Sequence, residues 1–178
     1  MATINEPANL PTHLPSGTWQ VDPAASEVGF SARGMFGLVP VRGTFGEFDG
    51  TLTIDPDGAR GELHIQATTL NTRNARRDTH LRSADFFDIE AHPILTFALT
   101  SVDPATQDTI AITGALRIRD TTLPVQAPAH LDAAGPNRVT LRTQFSVDRA
   151  AAGVGWSKLG MIQGKAHLHA SITLTREN

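Results

Sequence analysis

The chain of 178 residues contains no cysteine, and aromatic residues make up only 6% of it. The absence of cysteine excludes disulfides and thiolate metal sites, and it removes the residue type that indicates redox compartment. No run approaches the roughly 18 consecutive apolar residues of a membrane span. A net charge of -3 and a pI near 6.1 provide no overall field that would attract nucleic acid or an anionic membrane.

The N-terminus also lacks the features of a secretory signal. Its first 16 residues, MATINEPANLPTHLPS, contain no basic segment followed by a continuous apolar one, and we therefore expect a cytoplasmic protein. Three prolines among the first 15 residues predict an extended arm over residues 1–17. The remaining residues, 18–178, have the length of one domain.

From Trp19 onward, small or apolar residues alternate with polar ones, which is the pattern of strands with one buried and one wet face. The alternation is unbroken from Ile162 to Leu174 and recurs over residues 110–118, 123–131 and 139–147. Shorter examples lie at residues 28–32, 41–45, 48–54, 63–67 and 95–99. The parity changes around Gly46, which predicts a bulge or bend in one long strand.

About eight two-faced strands predict an all-β fold, an antiparallel up-and-down barrel, because closing the sheet removes its exposed edges. Such a barrel can enclose one small ligand if its inward side chains are not bulky. Many residues on the apolar face are small: Gly43, Gly50, Gly61, Ala67, Gly114, Ala127, Ala129, Gly164, Ala166 and Ala170. We predict an apolar cavity; the alternative is that the glycines mark strand bends and the interior is plugged.

One charged segment, residues 71–88, breaks the alternation and predicts one or two short helices near residues 72–88 that lie across a barrel end. Asn71 and Ser83 are candidate caps, and Asp78 and Arg82 are spaced to pair on a helix. Phe86 and Phe87 would dock the segment onto the barrel mouth. The arginines of this segment indicate either a clamp for an anionic headgroup or an ordinary solvated helix face: Arg73, Arg76 and Arg77.

Residues 77–88, RDTHLRSADFFD, followed by Pro93 and Phe97, resemble the signature of the YceI-like family. The resemblance spans roughly residues 19–177 and includes further matches: Trp19-x-Val21-Asp22, Ser26-x-Val28-x-Phe30, Val41-Arg42-Gly43-Thr44-Phe45, Phe48-x-Gly50, Gly114-x-Leu116-x-Ile118-Arg119 and Val147-Asp148-Arg149. It implies a lipocalin-like barrel that binds polyisoprenoid chains, including isoprenoid quinones or prenyl pyrophosphates. Many relatives are exported to the periplasm, whereas no signal is evident here.

Two motifs depart from the family pattern. Arg33-Gly34-Met35 stands where many relatives have His-Leu or His-Met, so a headgroup role for that histidine cannot be carried over. Arg149 is followed by Ala150 and Ala151, where relatives tend to have an aromatic and acidic pair.

These observations predict the binding, transport or storage of a long isoprenoid lipid, of the isoprenoid quinone or polyprenyl phosphate type. Each buried methylene contributes roughly 0.8 kcal/mol, so a third of a long prenyl chain supplies on the order of 10 kcal/mol before ordering costs are subtracted. The predicted cavity lining is Phe30, Phe45, Phe48, Leu52, Leu63, Phe86, Phe87, Phe97, Ile112, Leu116, Leu141, Phe145, Trp156 and Leu168. The headgroup candidates are Arg73, Arg77, Asp78, His80 and Arg82.

We expect the partner to be a long-chain apolar small molecule. The protein would require no cofactor, although a polyisoprenoid or isoprenoid quinone would be bound. Nucleic acid and stable membrane insertion are not expected, and the sequence does not decide whether the protein forms a homodimer.

The competing class is a small hydrolase or isomerase that acts on a hydrophobic substrate. His167-x-His169 has the spacing of a metal pair on one strand face, but that face is polar and should point to solvent. Asp78, His80 and His92 offer an acid and a base, but Arg77 and Arg82 are close in sequence to Asp78, and a salt bridge explains it adequately. No nucleophile elbow, phosphate loop or zinc-binding helix motif occurs, so no catalytic or metal-binding residue is expected.

A protein interaction module with a fully packed barrel is a third class. Its outer faces consist mainly of threonine, glutamine, serine, arginine and lysine, which provide no obvious cluster of anchor residues.

Overall fold

The structure is a computed structural model that describes residues 14–34, 38–106, 108–155 and 164–177. They form strands, one short helix and two 3₁₀ turns at Pro23–Ala25 and Ala67–Thr69. The bounds are β1 Gly17–Val21, β2 Glu27–Gly34, β3 Val39–Phe45, β4 Phe48–Asp55, β5 Gly58–Gln66, β6 Leu70–Asn71, α1 Ala75–Arg82, β7 Ile94–Pro104, β8 Thr109–Ile118, β9 Thr121–Ala133, β10 Arg138–Asp148 and β11 Lys165–Thr175.

These segments build a closed, antiparallel barrel of eight strands. β1 and β2 both pair with β11, one on each side of the first 3₁₀ turn, so together they act as one barrel strand. β3 and β4 form the next barrel strand, and β5, β7, β8, β9, β10 and β11 follow in order. The predicted up-and-down barrel is therefore confirmed.

The predicted bend near Gly46 separates β3 from β4. The hydroxyl of Thr69 accepts the backbone N–H groups of Gly46 and Glu47 over 3.0 and 3.1 Å. The bend therefore has hydrogen-bond partners from the 3₁₀ turn outside the strand, in place of a neighbouring strand.

The connection between β5 and β7 contains the predicted short helix, α1, but its N-cap differs from the prediction. Asn74 caps α1, since its side-chain oxygen accepts the backbone N–H of Arg77 over 3.0 Å. Asn71 is wrong as a helix cap: it lies in β6, and its side chain accepts the N–H of Arg73. Ser83 is the C-cap of α1.

The predicted pairing of Asp78 with Arg82 is also wrong, because each side chain has a different partner. The Asp78 carboxylate accepts both the backbone N–H and the hydroxyl of Thr72, over 2.9 and 2.5 Å. Arg82 donates from Nη2 to the carbonyl of Leu70 over 2.5 Å. Both side chains therefore bind the helix to the segment that precedes it, and no ion pair joins them within the described ranges.

Residues 14–16 lie at the barrel end opposite α1. Leu14 packs against the core, the indole N–H of Trp19 donates to the carbonyl of Pro15 over 3.2 Å, and Arg176 donates to the carbonyl of Ser16 over 2.8 Å. Residues 1–13 of the predicted arm lie outside the described residues. None of the helices in the described ranges has the length and apolar character needed to cross a membrane.

Candidate functional site

A cavity of about 140 Å³ lies inside the barrel, roughly ten times the space that one water molecule needs. Four of its lining residues are polar: Thr51, Glu62, Thr143 and His169. The rest of its lining is apolar: Val21, Val28, Gly29, Leu52, Gly61, Leu63, Ile65, Phe97, Leu99, Ile112, Leu116, Leu141, Phe145, Leu168, Ala170, Ile172 and Leu174. Because water finds few hydrogen-bond partners here, an apolar guest is favoured.

Several inward side chains near the middle of the barrel are only half-buried. They are Leu63, Phe97, Leu99, Leu141, Phe145 and Leu168, and all of them line the cavity. A close-packed interior would bury such large apolar side chains almost completely. The interior of this barrel is therefore incompletely filled by its own side chains.

The apolar interior continues toward the end that holds Leu14. A smaller space of about 30 Å³ is lined there by Leu14, Ile54 and Val139 among others. It shares four lining residues with the main cavity: Leu52, Leu99, Leu141 and Leu174. The two spaces are thus neighbours along the barrel interior, which suits an elongated guest better than a compact one.

Eight of the predicted lining residues do line the cavity: Leu52, Leu63, Phe97, Ile112, Leu116, Leu141, Phe145 and Leu168. Trp156 lies outside the described residues. Five predicted phenylalanines are not among the lining residues of the cavity. Phe30, Phe45 and Phe48 belong to the packed core and Phe87 packs against it, while Phe86 is buried. Leu99, Ile172 and Leu174 were not predicted, although each continues the inward parity of its strand.

Three of the aromatic rings outside the cavity form a cluster that supports the segment after α1. The centroids of Phe30 and Phe45 are 5.7 Å apart, and Phe87 meets Phe45 edge-on at 6.2 Å. Phe86 is buried, and the centroid of its ring lies 5.1 Å from that of the His80 ring, which meets it edge-on. These contacts place the predicted helical segment on the barrel as expected.

Two of the small inward residues make room for rings and leave no empty space. A Cβ added at Gly43 would lie 2.6 Å from the ring of Phe30, and one added at Gly114 would lie 2.8 Å from the ring of Phe97 and 2.4 Å from the carbonyl of Ala98. These glycines therefore allow close packing of the rings, which neither the predicted cavity nor the alternative of strand bends had assigned to them. Gly61 and Ala170 line the cavity, although a Cβ at Gly61 would also lie 2.4 Å from the carbonyl oxygen of Thr51.

The headgroup candidates lie at the α1 end of the barrel, and most of them make local contacts. Arg77 donates from Nε and Nη2 to the hydroxyl and the carbonyl of Thr72, over 2.8 and 2.9 Å. His80 lies 2.9 Å from a carboxylate oxygen of Asp85. Arg73 is exposed and adopts a left-handed backbone with φ of 62°. Asp78 and Arg82 make the backbone contacts described above.

Among the described residues, each histidine considered for catalysis or metal binding has a separate partner. His92 faces Asp120 at 3.5 Å, whereas His80 faces Asp85. His167 contacts Ser146 at 2.7 Å, and His169 contacts Glu27 at 3.4 Å. Across the ranges that the structure describes, no three metal-ligating side chains come together.

The barrel wall is incomplete between β9 and β10. Their pairing runs from Val139–Ala133 to Thr143–Ala129 and ends there, although β9 continues back to Thr121 and β10 on to Asp148. The backbone N–H of Leu131 donates to the carbonyl of Asp108, on the side of β8. The N–H groups of even-numbered residues in β9 therefore point toward β10. Pro128 and Pro124 are even-numbered and have no N–H, which explains why the ladder stops.

Comparison with known proteins places this barrel in a sequence family. The model of the YceI-like domain family matches residues 19–174. A UPF0312 protein of Azotobacter vinelandii is 38% identical over 86 residues, which cover 47% of this chain and 45% of that protein. Protein YceI of Escherichia coli O17:K52:H18 is 42% identical over 92 residues, which cover 50% of this chain and 48% of that protein. The matches thus span about half the length of these curated relatives.

Two solved structures share the fold. Burkholderia cenocepacia BcnA superposes with a TM-score of 0.77 at 21% identity and covers 86% of this chain and 98% of that chain. A polyisoprenoid binding domain from Saccharophagus degradans superposes with a TM-score of 0.75 at 12% identity. This match covers 89% of the present chain and 98% of that domain. At these identities the similarity establishes the barrel architecture and not the ligand.

Proposed function

The chain belongs to the YceI-like domain family, and we propose that its barrel binds one long, apolar lipid of the polyisoprenoid class in its interior. The observation that carries this proposal is the incompletely filled, almost wholly apolar cavity and its continuation toward Leu14. The similar Saccharophagus degradans protein is described as a polyisoprenoid binding domain, which supports the same class of ligand. An isoprenoid quinone or a polyprenyl phosphate would meet this description.

Burial of the hydrocarbon chain would provide most of the binding free energy. Each methylene that leaves water for the cavity contributes about 0.8 kcal/mol, from which the ordering of the chain must be subtracted. The lining provides few polar contacts, so the tail would be selected by its width and length. We propose that the protein carries or stores this lipid and does not transform it.

The direct test is native mass spectrometry of the gently purified protein, followed by extraction of any small molecule that leaves on denaturation. We expect one prenyl lipid per chain, either retained from the host or taken up when a prenyl alcohol is added to the stripped protein. A ligand-free mass together with no uptake of added prenyl lipid would refute the proposed function.

A further inference from the structure

A leucine from the segment ahead of β1 occupies the interior of the barrel at the end opposite α1. Leu14 packs against the core, and its side chain lines the smaller interior space of about 30 Å³. The other residues around this space belong to the barrel strands β4, β5, β7, β8, β9, β10 and β11. Leu14 is therefore a cap that the chain itself places on the apolar interior.

Specific contacts hold the segment that carries this leucine. Arg176 donates to the carbonyl of Ser16 over 2.8 Å, and its guanidinium lies 5.8 Å from the ring centroid of Trp19. The fully buried Trp19 donates in turn to the carbonyl of Pro15 over 3.2 Å. Gly17, at the start of β1, has a φ of 134°, which other residues rarely adopt. The position of the segment on the barrel end is thus fixed by side chains and by the backbone.

The space beside Leu14 continues the main cavity. On β10, Phe145 and Leu141 line the main cavity, whereas Leu141 and Val139 line the smaller space. With a rise of about 3.3 Å per residue, the stretch from Phe145 to Val139 covers about 20 Å of the strand. All residues around the smaller space are apolar, while Thr143 and the other polar lining residues belong to the main cavity. The end near Leu14 therefore suits the hydrocarbon end of a lipid.

We infer that Leu14 sets the length of the longest prenyl chain that the barrel accommodates, through contact with the hydrocarbon end of that chain. The inference rests on the proposed function and adds to it a residue that determines specificity. Each further methylene strengthens binding only while there is space to bury it. Once the chain reaches Leu14, the next isoprene unit has to displace the segment held by Arg176 and Trp19 or stay in water, so it adds little affinity.

Two substitutions at Leu14 should move this length limit in opposite directions. Leu14→Ala removes three of the four side-chain carbons beside an existing space, so the limit should rise by about one isoprene unit. The alcohol at the new limit should bind this variant about tenfold or more tightly than it binds wild type. Leu14→Phe fills the space, so the limit should fall by about one isoprene unit.

The experiment is calorimetric titration of the stripped, full-length protein and its variants with prenyl alcohols of increasing length, from geraniol upward. The length limit is the longest alcohol whose affinity still exceeds that of the next shorter one. Leu81→Ala is the matched control, because Leu81 is also partly buried against the core but is not among the lining residues of either space. It should keep the limit of wild type. A general loss of stability would weaken binding at every length and would not move the limit in opposite directions.

The outcomes separate this inference from the proposed function. If the alcohols bind but the limit is the same in wild type, Leu14→Ala and Leu14→Phe, the role of Leu14 is refuted and the proposed function stands. An equal shift of the limit in Leu81→Ala and Leu14→Ala would refute that role as well. If wild type binds no alcohol of the series, the proposed function itself fails.

A measurement on wild type makes the test independent of whether the variants fold. With leucine methyl groups labelled for NMR, an alcohol at the length limit should give nuclear Overhauser effects between the Leu14 methyls and the terminal methyls of the lipid. Effects to the hydroxyl-bearing carbon alone, or none from Leu14 to any part of the bound chain, would overturn the assignment of Leu14 to the hydrocarbon end.

Discussion

The rings of Phe97 and Phe145 face each other across the barrel interior, with their centroids 6.5 Å apart. They belong to β7 and β10, which are separated in the sheet by β8 and β9. Both rings line the cavity, so a guest that runs the length of the interior has to pass beside them. A thin, flexible chain meets this requirement more easily than a fused ring system.

Filling the cavity beside this ring pair should impair binding. Leu168 lines the cavity and is opposite Phe145 in the β10–β11 register. We expect Leu168→Trp to weaken the binding of geranylgeraniol by about tenfold or more, because the indole occupies space that several methylenes would fill. The stability of the folded protein should change by less than about 1.5 kcal/mol, since the added volume enters an existing space.

Thr122→Trp is the control for this substitution, because Thr122 is exposed on β9. It should bind geranylgeraniol as wild type does in the same titration. Equal affinities for Leu168→Trp and Thr122→Trp would show that the guest does not occupy this cavity.

The contact between Asp78 and Thr72 should matter for stability. Asp78→Ala removes the acceptor for two buried donors, the N–H and the hydroxyl of Thr72. We expect a loss of about 2 to 4 kcal/mol in the free energy of unfolding, measured with urea. Asp78→Asn, which retains one acceptor oxygen, should lose less, and the exposed Asp103→Ala should lose almost nothing. Equal stabilities of Asp78→Ala and Asp103→Ala would contradict this account.

The alternation of residues 162–174 illustrates what the sequence predicts well. A strand repeats every two residues, so each inward side chain of β11 could be assigned from the sequence. The alternation does not tell at which level along the barrel axis an inward residue lies. Phe30 and Phe45 were therefore predicted to line the cavity, although they pack with Phe87 at the α1 end.

Other features depend on contacts that no local pattern encodes. Asn71 and Asn74 are equally good caps by residue type, and only pairing of β6 with β3 decides between them. The inward position of Arg149 could have been predicted from the sequence, because Arg149 continues the parity of Val139, Leu141, Phe145 and Val147. Its burial depends on the segment after β10, which folds back so that the N–H of Val154 donates to the carbonyl of Arg149.

Hydrogen exchange should report the gap between β9 and β10. Ser146 and Arg142 are both even-numbered residues of β10, so their N–H groups point to the same side, toward β9. Arg142 is paired with β9, whereas Ser146 lies beyond the last paired residue, Thr143. We expect the Ser146 amide to exchange about tenfold or more faster than that of Arg142, which has a paired neighbour in β9. Similar protection of the two amides would indicate that the ladder continues past Pro128.

The turn between β4 and β5 should show a pH-dependent contact. Arg60 lies 2.7 Å from the Asp55 carboxylate, and its hydrogen bond holds the pKa of Asp55 below the ordinary value of 3.8. Because the pKa of Asp55 is lower in the folded state, the contact stabilises the folded state above pH 3.8. This stabilisation is lost as the pH falls through the folded pKa. The effect on stability should be small at this exposed site.

Carbon NMR titration of the Asp55 carboxyl would measure this contact. The midpoint should lie below 3.8 in wild type and move up toward that value in Arg60→Gln. Identical midpoints in the two proteins would mean that Arg60 does not lower the pKa of Asp55.

The central claim is that the barrel holds an apolar chain, and calorimetric titration of the stripped protein with neutral prenyl alcohols of increasing length tests it most directly. We predict an affinity that rises with each isoprene unit until the interior is filled, accompanied by a negative heat-capacity change from apolar burial. An affinity that does not depend on chain length, or no binding by any alcohol in the series, would contradict the account.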